Sequence, residues 1–163
     1  MRRTAALLLS PLLAVGLLAG CGGSDSTADK GLPTVSGDYG DKPKVTADKE
    51  EKPGKKLKSD VLVEGKGPKV AKGDLLVADY LGSVYATNKV FDNSYDRGQP
   101  AGFEIGAGKV IKGWDETLVG VKAGSRVLMV IPPAKGYGTA GNEQAGIKGT
   151  DTLFFVIDIL GAY

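Results

Sequence analysis

The sequence predicts an α+β domain in which several short β-strands surround one short α-helix. Glycine supplies 25 of the 163 residues, about twice the usual share of roughly 7%, which indicates many tight turns. Short apolar runs bounded by turn residues recur along the chain, as expected of strands. Only residues 110–118 show helical periodicity, because Ile111, Trp114 and Leu118 fall on one helix face.

The apolar runs also indicate how deeply each strand is buried. Five strands are predicted, at residues 61–63, 75–84, 103–105, 127–131 and 153–160. The last two are almost continuously apolar, which is typical of strands covered on both faces. The glycine-rich turn at 106–109 lacks the spacing of a phosphate-binding loop, because Phe103 and Val110 occupy two of its required positions. We therefore expect an ordinary turn between a strand and the helix.

Charge and composition exclude several classes of function for this chain. Two of its 21 basic residues, Arg2 and Arg3, lie in a leader, and the other 19 balance 19 acidic residues. Neutrality removes the electrostatic basis for binding nucleic acid or acidic lipid. The sequence has no histidine and one cysteine, so it holds no histidine base, cysteine-only zinc site or internal disulfide. We expect neither a metal nor a cofactor.

Residues 1–20 resemble a secretory signal peptide. A basic start precedes an uncharged run, residues 4–20, that Pro11 and Gly16 interrupt and that is shorter than the roughly 20 apolar residues of a spanning helix. The run ends in Leu18-Ala19-Gly20-Cys21, which resembles a bacterial lipobox. The resemblance implies a lipid on Cys21 as the first mature residue. A buried structural cysteine is the alternative, but residues 22–27 offer it no apolar neighbour.

The next segment differs in composition from the domain that follows it. Residues 21–56 contain Cys21 and then many lysines, acidic residues, glycines and three prolines. Such a segment buries too little apolar surface to offset its chain entropy, so we expect a flexible tether. The alternative is a short strand at 33–46 that docks on the domain edge. Residues 57–163 form the predicted domain, which should fold without the tether.

An ordered series of motifs spans this domain. It contains Val77-Ala78-Asp79-Tyr80, Phe91-Asp92, Arg97-Gly98, Val110-Ile111-Lys112-Gly113-Trp114, Tyr137-Gly138 and Thr152-Leu153-Phe154-Phe155. Over residues 58–160 the series strongly resembles the FKBP-type peptidyl-prolyl cis–trans isomerases. The resemblance implies a twisted antiparallel sheet of about five strands wrapped around one short helix. It also implies rotation of X-Pro bonds with neither a covalent intermediate nor a cofactor.

The same resemblance implies a role for individual residues. The expected catalytic residues are Asp92, Ile111, Trp114 and Tyr137. Trp114 would form the pocket floor, while the Ile111 N–H and the Tyr137 hydroxyl would bind substrate carbonyls. The expected substrate-binding residues are Tyr80, Phe91, Arg97, Val110, Ile147 and Phe155, with Arg97 holding Asp92. Taken singly, Trp114 is better explained as a core residue, and Phe91 and Phe155 could be core residues too; only the whole ordered set favours a pocket. We expect Phe103 and Leu153 to be ordinary core residues.

Two positions depart from the family pattern. Ala101 stands where the family commonly has an aromatic residue, so one pocket wall should be missing. Residues 147–149 read Ile147-Lys148-Gly149 where the family usually has Ile-Pro-Pro, so we expect residues 138–149 to form a looser and more polar flap. Ile147 would supply its apolar contact. These changes should affect sequence preference and macrolide affinity more than isomerase activity.

The expected protein is a monomeric prolyl isomerase, lipid-anchored at the extracytoplasmic face of the cell membrane or in a periplasm. Its partners would be proline-containing segments of unfolded or partly folded exported proteins, the membrane through Cys21, and macrolides such as rapamycin, but no nucleic acid. A non-catalytic peptide-binding module that uses the same groove is the alternative. A solute-binding lipoprotein is disfavoured, because such proteins usually close two lobes around a ligand.

Overall fold

The computed structural model describes residues 31–163, so the expected signal peptide and Cys21 lie outside the described residues. Within this range an antiparallel sheet of six strands packs against one α-helix, beside a separate two-stranded hairpin. The strands are β1 (Thr34–Ser36), β2 (Lys44–Thr46), β3 (Lys58–Val63), β4 (Leu75–Val84), β5 (Lys89–Asn93), β6 (Ala101–Glu104), β7 (Arg126–Ile131) and β8 (Leu153–Ala162). The helix α1 comprises Lys112–Leu118. The predicted α+β class is confirmed.

Strand β4 organises the main sheet. The hydrogen-bonded order is β3-β7-β8-β4-β5, and β6 also pairs with β4. β5 and β6 pair with different parts of β4, as the registers Leu81↔Asn93 and Leu76↔Phe103 show. The long pairing of β4 with β8 forms the centre of the sheet. The five predicted strands are all present, and the sixth, β5, was not predicted from the sequence.

The helix begins two residues later than predicted. Ile111 has an extended backbone, with φ −62° and ψ 146°, and acts as the residue that caps α1. Its N–H belongs to the set of donors at a helix start that no helical carbonyl can accept. Trp114 and Leu118 are buried under the sheet, as their spacing predicts. Among residues 31–163 no helix has the length and hydrophobicity needed to cross a membrane.

The central strands bury both of their faces. On the helix side, Val127, Met129 and Ile157 belong to the main core together with Trp114. On the outer side, a second cluster consists of Ala47, Leu81, Tyr85, Val130 and Phe154. All six residues of β7 are consequently buried, which explains why residues 127–131 of that strand are continuously apolar.

The outer face is covered by residues 31–48, which we call the N-terminal strap. Here the structure corrects the expected tether: β1 and β2 pair through Val35↔Val45, and Ala47 is 2% exposed. Ala47 also exchanges two backbone hydrogen bonds, of 2.8 and 3.0 Å, with the side chain of Asn88. The alternative of a short strand near 33–46 is closer to the structure, although the strap covers the outer face of the sheet instead of extending its edge.

Candidate active site

A cavity of about 110 Å³ lies between the start of α1 and the helix-side face of the sheet. Its lining residues are Tyr80, Phe91, Asp92, Phe103, Val110, Ile111, Trp114, Tyr137 and Phe155. β4, β5, β6 and β8 supply the walls, and the turn into α1 supplies Val110 and Ile111. Two wider depressions, of about 450 and 420 Å³, lie elsewhere and lack such a convergence of aromatic rings.

Trp114 lies at the centre of the aromatic lining. Its ring makes edge-to-face contacts with Tyr80, Phe103 and Phe155, at centroid distances of 5.8, 4.8 and 5.3 Å. Phe91 packs in the same manner on Phe155, at 5.6 Å. Edge-to-face pairs of this kind each contribute roughly 0.5–1.5 kcal/mol beyond their buried area. The rings therefore support one another and keep the cavity open.

Gly82 permits the close approach of two of these rings. It lies in β4 opposite Phe155, and a Cβ atom at this position would lie 2.6 Å from one carbon of Phe155 and 2.8 Å from one of Phe91. Protein interiors are close-packed, so a side chain here would displace at least one ring. Glycine at residue 82 therefore preserves one wall of the cavity.

One edge of the cavity is polar. Arg97 donates one hydrogen bond to Asp92 Oδ1 at 2.6 Å and another to the Tyr80 hydroxyl at 2.7 Å. The Tyr80 hydroxyl in turn donates to Asp92 Oδ2 at 2.5 Å, and the guanidinium lies 5.5 Å from the centre of the Tyr80 ring. The side chains of Arg97 and Asp92 are 44% and 43% exposed, and exposed ion pairs add only about 0–1 kcal/mol of stability. Their main effect is to fix the orientation of Asp92 and Tyr80.

The pKa values of Tyr80, Tyr137 and Arg97 are all raised, so these three groups keep their charge states across the neutral range. Burial raises the pKa of Tyr80, and its hydrogen bond to Asp92 adds to this effect. Burial likewise raises the pKa of Tyr137, against a smaller lowering by the side chain of Asn142. The hydrogen bond to Asp92 raises the pKa of Arg97 further. Both tyrosines are therefore hydrogen-bond donors, and neither is a base, near pH 7.

The flap over residues 138–149 is held more tightly than its sequence predicts. Asn142 and Ile147 exchange two backbone hydrogen bonds, both of 2.8 Å. Gly149 packs so closely on the backbone of Thr139 that a Cβ atom there would overlap the Thr139 carbonyl oxygen. The glycine that replaces a family proline thus allows two backbone segments to touch, and the expected looseness was wrong.

The structure brings together nearly all of the predicted site residues. Eight line the cavity: Asp92, Ile111, Trp114, Tyr137, Tyr80, Phe91, Val110 and Phe155. Arg97 lies just behind Asp92. Ile147 does not line the cavity: it is 3% exposed and belongs to the main core. Its role in substrate binding stays a prediction, since the structure places Ile147 in the core beside the pocket and not in the cavity lining.

Phe103 is the lining residue that sequence reasoning missed. It was expected to be ordinary core, yet it contacts both Tyr80 and Trp114 and lines the cavity. Side chains two residues apart in a strand lie on the same face, so Ala101, already expected at the pocket, pointed to Phe103. Because residue 101 is an alanine, Phe103 is the aromatic residue that β6 contributes to the cavity.

Two further observations concern ligands of the site. No group of three or more acidic or cysteine side chains within residues 31–163 is arranged to hold a metal ion. In the same part of the chain the indole N–H of Trp114 is buried and has no hydrogen-bond acceptor. The groups that can act on a ligand here are aromatic faces, hydroxyls, one carboxylate and backbone donors.

Comparison with known proteins assigns this pocket to a family. Residues 67–160 match the sequence profile described as FKBP-type peptidyl-prolyl cis-trans isomerase. The chain belongs to this family. It is therefore an FKBP-type peptidyl-prolyl cis–trans isomerase, and every residue that lines the pocket lies within the matched region.

Individual relatives agree with the family assignment. The isomerase is 39% identical over 97 residues to "FK506-binding protein" of Streptomyces anulatus, covering 60% of this chain and 78% of that protein. It is 40% identical over 112 residues to "Peptidyl-prolyl cis-trans isomerase FKBP13, chloroplastic" of Arabidopsis thaliana, covering 61% and 52%. The crystal structure of AtFKBP13 superposes with a TM-score of 0.60 and 37% identity, over 66% of this chain and 93% of that one. The FKBP fold is thereby confirmed.

Proposed function

We propose that the isomerase binds the prolyl ring of an X-Pro segment over Trp114 and rotates its peptide bond in exported proteins outside the cytoplasm. The observation that supports the binding mode is the ring-lined cavity, which has a floor of Trp114 and one polar edge. The observation that supports the location is the lipobox-like sequence that ends in Cys21.

The physical task is to lower a rotational barrier of roughly 18–20 kcal/mol. Rotation breaks the conjugation of the amide, so the twisted bond is less polar than either planar isomer. A cavity lined by Trp114, Phe91 and Phe155 removes water from the bond and favours the less polar state. No covalent bond is made or broken, and no proton has to be transferred.

Fixed hydrogen bonds complete the mechanism. The N–H of Ile111 is available because it precedes the first helical turn, and it donates to a carbonyl of the bound segment. The hydroxyl of Tyr137 donates to a second carbonyl. Donors that are already oriented stabilise the twisted bond without having to reorganise. Asp92, held by Arg97 and Tyr80, lies at the polar edge beside the rotating bond.

A protease-coupled assay on a proline-containing peptide tests this mechanism. Tyr137→Phe should lower the catalysed rate by about two- to ten-fold, the effect of one hydrogen bond. Trp114→Phe should lower it further because the floor becomes smaller. Tyr163→Phe is the matched control, since Tyr163 is 81% exposed and should behave as the unchanged protein. If saturating protein binds the peptide but leaves its exchange rate unchanged, the chain is a peptide-binding module and the catalytic proposal is wrong.

Macrolides are the second ligand class that the pocket suits. The relative from Streptomyces anulatus is named for binding FK506, and the cavity of this chain offers a surface lined mainly by aromatic and aliphatic side chains. Rapamycin should therefore compete with the peptide. Because residue 101 is an alanine, the pocket lacks one aromatic wall. We therefore expect rapamycin to inhibit the unchanged protein more weakly than the Ala101→Phe variant, in which that wall is restored. Equal inhibition of both proteins would place the macrolide elsewhere.

The proposed location places the domain close to a membrane. If lipid is attached to Cys21, the nine residues 22–30 connect it to Gly31, the first residue of the strap. A fully extended chain of this length spans at most about 35 Å. The expected tether to residue 56 would have reached more than three times as far. The shorter connection favours substrates that emerge at the membrane surface.

Membrane fractionation tests the anchor. Cys21→Ser should move the isomerase from the membrane to the soluble fraction while its activity stays unchanged. Ser24→Ala is the matched control and should remain in the membrane fraction. A Cys21→Ser protein that stays with the membrane after a salt wash would contradict lipid anchoring at this residue.

A further inference from the structure

The N-terminal strap makes polar contacts with a buried ion pair on the outer face of the sheet. Arg126 in β7 and Asp158 in β8 have side-chain exposures of 1% and 0%. They share two hydrogen bonds, Nε to Oδ1 at 2.6 Å and Nη2 to Oδ2 at 2.7 Å. A buried ion pair is tolerated only when its remaining donors and acceptors are also satisfied.

The strap satisfies them with main-chain atoms. The Arg126 guanidinium donates to the carbonyl oxygens of Gly37 and Asp41, at 2.7 and 2.8 Å. The N–H of Gly40 donates to Asp158 Oδ2 at 2.8 Å. The strap therefore sits in one register over the pair, since a shift by one residue would break all three bonds.

The same network extends to the turn that carries Arg97. The turn is the short 3-10 helix Tyr95–Arg97. The Tyr95 hydroxyl donates to Asp158 Oδ2 at 3.0 Å, and Lys42 of the strap pairs with Asp96 at 2.5 Å. Two of the three residues of the turn are thus held from the outer face.

The third residue of the turn, Arg97, acts at the polar edge of the pocket. Arg97 directs its guanidinium to Asp92 and to the Tyr80 hydroxyl, and these two bonds fix the polar edge of the cavity. A rotation of the turn would move the Arg97 backbone and with it both bonds. The outer-face contacts of Tyr95 and Asp96 are therefore mechanically connected to the orientation of Asp92.

We infer that the strap and Tyr95 position Arg97, so that residues 31–48 help to fix the orientation of Asp92 at the polar edge of the pocket. Tyr95 and Lys42 are positioning residues, because they act through Arg97 and do not touch the cavity. The inference rests on the proposed role of Asp92 at the polar edge of the site.

A double-mutant cycle in the full chain tests the connection. Tyr95→Phe removes one hydroxyl and should lower kcat/KM by about five-fold, the effect of one hydrogen bond. Arg97→Gln should lower it as well. If Tyr95 acts through Arg97, adding Tyr95→Phe to Arg97→Gln should have no further effect, because coupled residues are not additive. Independent, multiplicative losses would overturn the inference, and so would full activity of folded Tyr95→Phe.

A second pair of variants avoids any loss of folding. Lys42→Gln removes the exposed contact with Asp96 and should lower kcat/KM by about two-fold, within the range of surface ion pairs. Lys44→Gln is the matched control, because Lys44 is an exposed lysine two residues away in the same strap. Equal kcat/KM values for the two variants would overturn the role of the strap. An effect of Lys42→Gln that persists in the Arg97→Gln background would do the same, and would separate this inference from the isomerase mechanism.

Discussion

Removal of the N-terminal strap is the most informative perturbation of this fold. A chain that begins at Leu57 keeps every strand of the main sheet and every pocket residue, whereas a chain that begins at Gly31 also keeps the strap. Sequence composition alone predicts equal stability for the two. The structure predicts a clear difference, because the strap covers the outer cluster and the ion pair of Arg126 and Asp158.

The magnitude follows from three hydrogen bonds and from the apolar contacts of the strap. Each bond to a charged group contributes roughly 1.5–3 kcal/mol, but water reaches the exposed pair once the strap is gone and replaces part of that energy. Removal of Ala47, Leu32 and Val45, which pack on the outer cluster, also exposes the apolar side chains of that cluster to water and lowers stability further. We expect a net loss of about 3–5 kcal/mol, from a typical total of about 5–15.

Urea unfolding of the two chains, followed by Trp114 fluorescence, measures this difference. With a typical slope of about 1–3 kcal/mol per molar urea, the midpoint should fall by about 2 M in the shorter chain. The slope itself should also fall, because less surface is exposed on unfolding. Free energies of unfolding that agree within about 1 kcal/mol would refute the reasoning and restore the interpretation of residues 31–48 as a tether.

Three further outcomes are expected. The catalysed rate should be nearly flat between about pH 5.5 and 8, because burial raises the pKa values of Tyr80 and Tyr137 and the chain has no histidine; a bell with a limb near pH 6.5 would contradict this. Gly149→Ala should displace the flap and lower kcat/KM by roughly ten-fold or more, whereas the exposed control Thr150→Ala should leave it unchanged. Burial raises the pKa of Tyr95, and the charge of Asp158 adds to this. The contribution of neutral Tyr95 to folding stability is therefore complete below the pKa of an unfolded tyrosine, near 10. It is lost as the pH rises above that value. Urea titrations above pH 10 should show a shallower loss of stability for Tyr95→Phe than for the unchanged protein, and equal slopes would count against a buried, neutral Tyr95.

Local patterns in the sequence predicted the central strands and most of the pocket. β4 was predicted over its whole length, and the helical spacing of Trp114 and Leu118 placed α1 to within two residues. These elements could be found because their own side chains record the environment: a strand or helix that packs on a core must repeat apolar residues at its own period. Phe103 was recoverable from the same period, and its assignment to ordinary core was an error of interpretation.

The flap could not be predicted in this way. Whether Ile147 faces the cavity or the core depends on the backbone pairing of residues 142 and 147. The sequence around these residues has no helical or strand periodicity from which that pairing could be predicted. The close contact at Gly149 depends on the position of Thr139 in space. Both features depend on how two irregular segments pack together, and such segments have no regular repeat of apolar residues from which their packing could be predicted.

The sequence by itself determined the composition of the pocket, the helix, and the fact that β7 and β8 are covered on both faces. Only the tertiary structure decided that residues 31–48 cover the outer face of the sheet and that they contact the turn that contains Arg97. The physical reason lies in the kind of atom involved. The strap binds Arg126 and Asp158 through two carbonyls and one N–H of its main chain, at sequence separations of 85 to 118 residues. Main-chain groups are present in almost every residue, so such contacts leave no pattern of side chains from which they could be predicted.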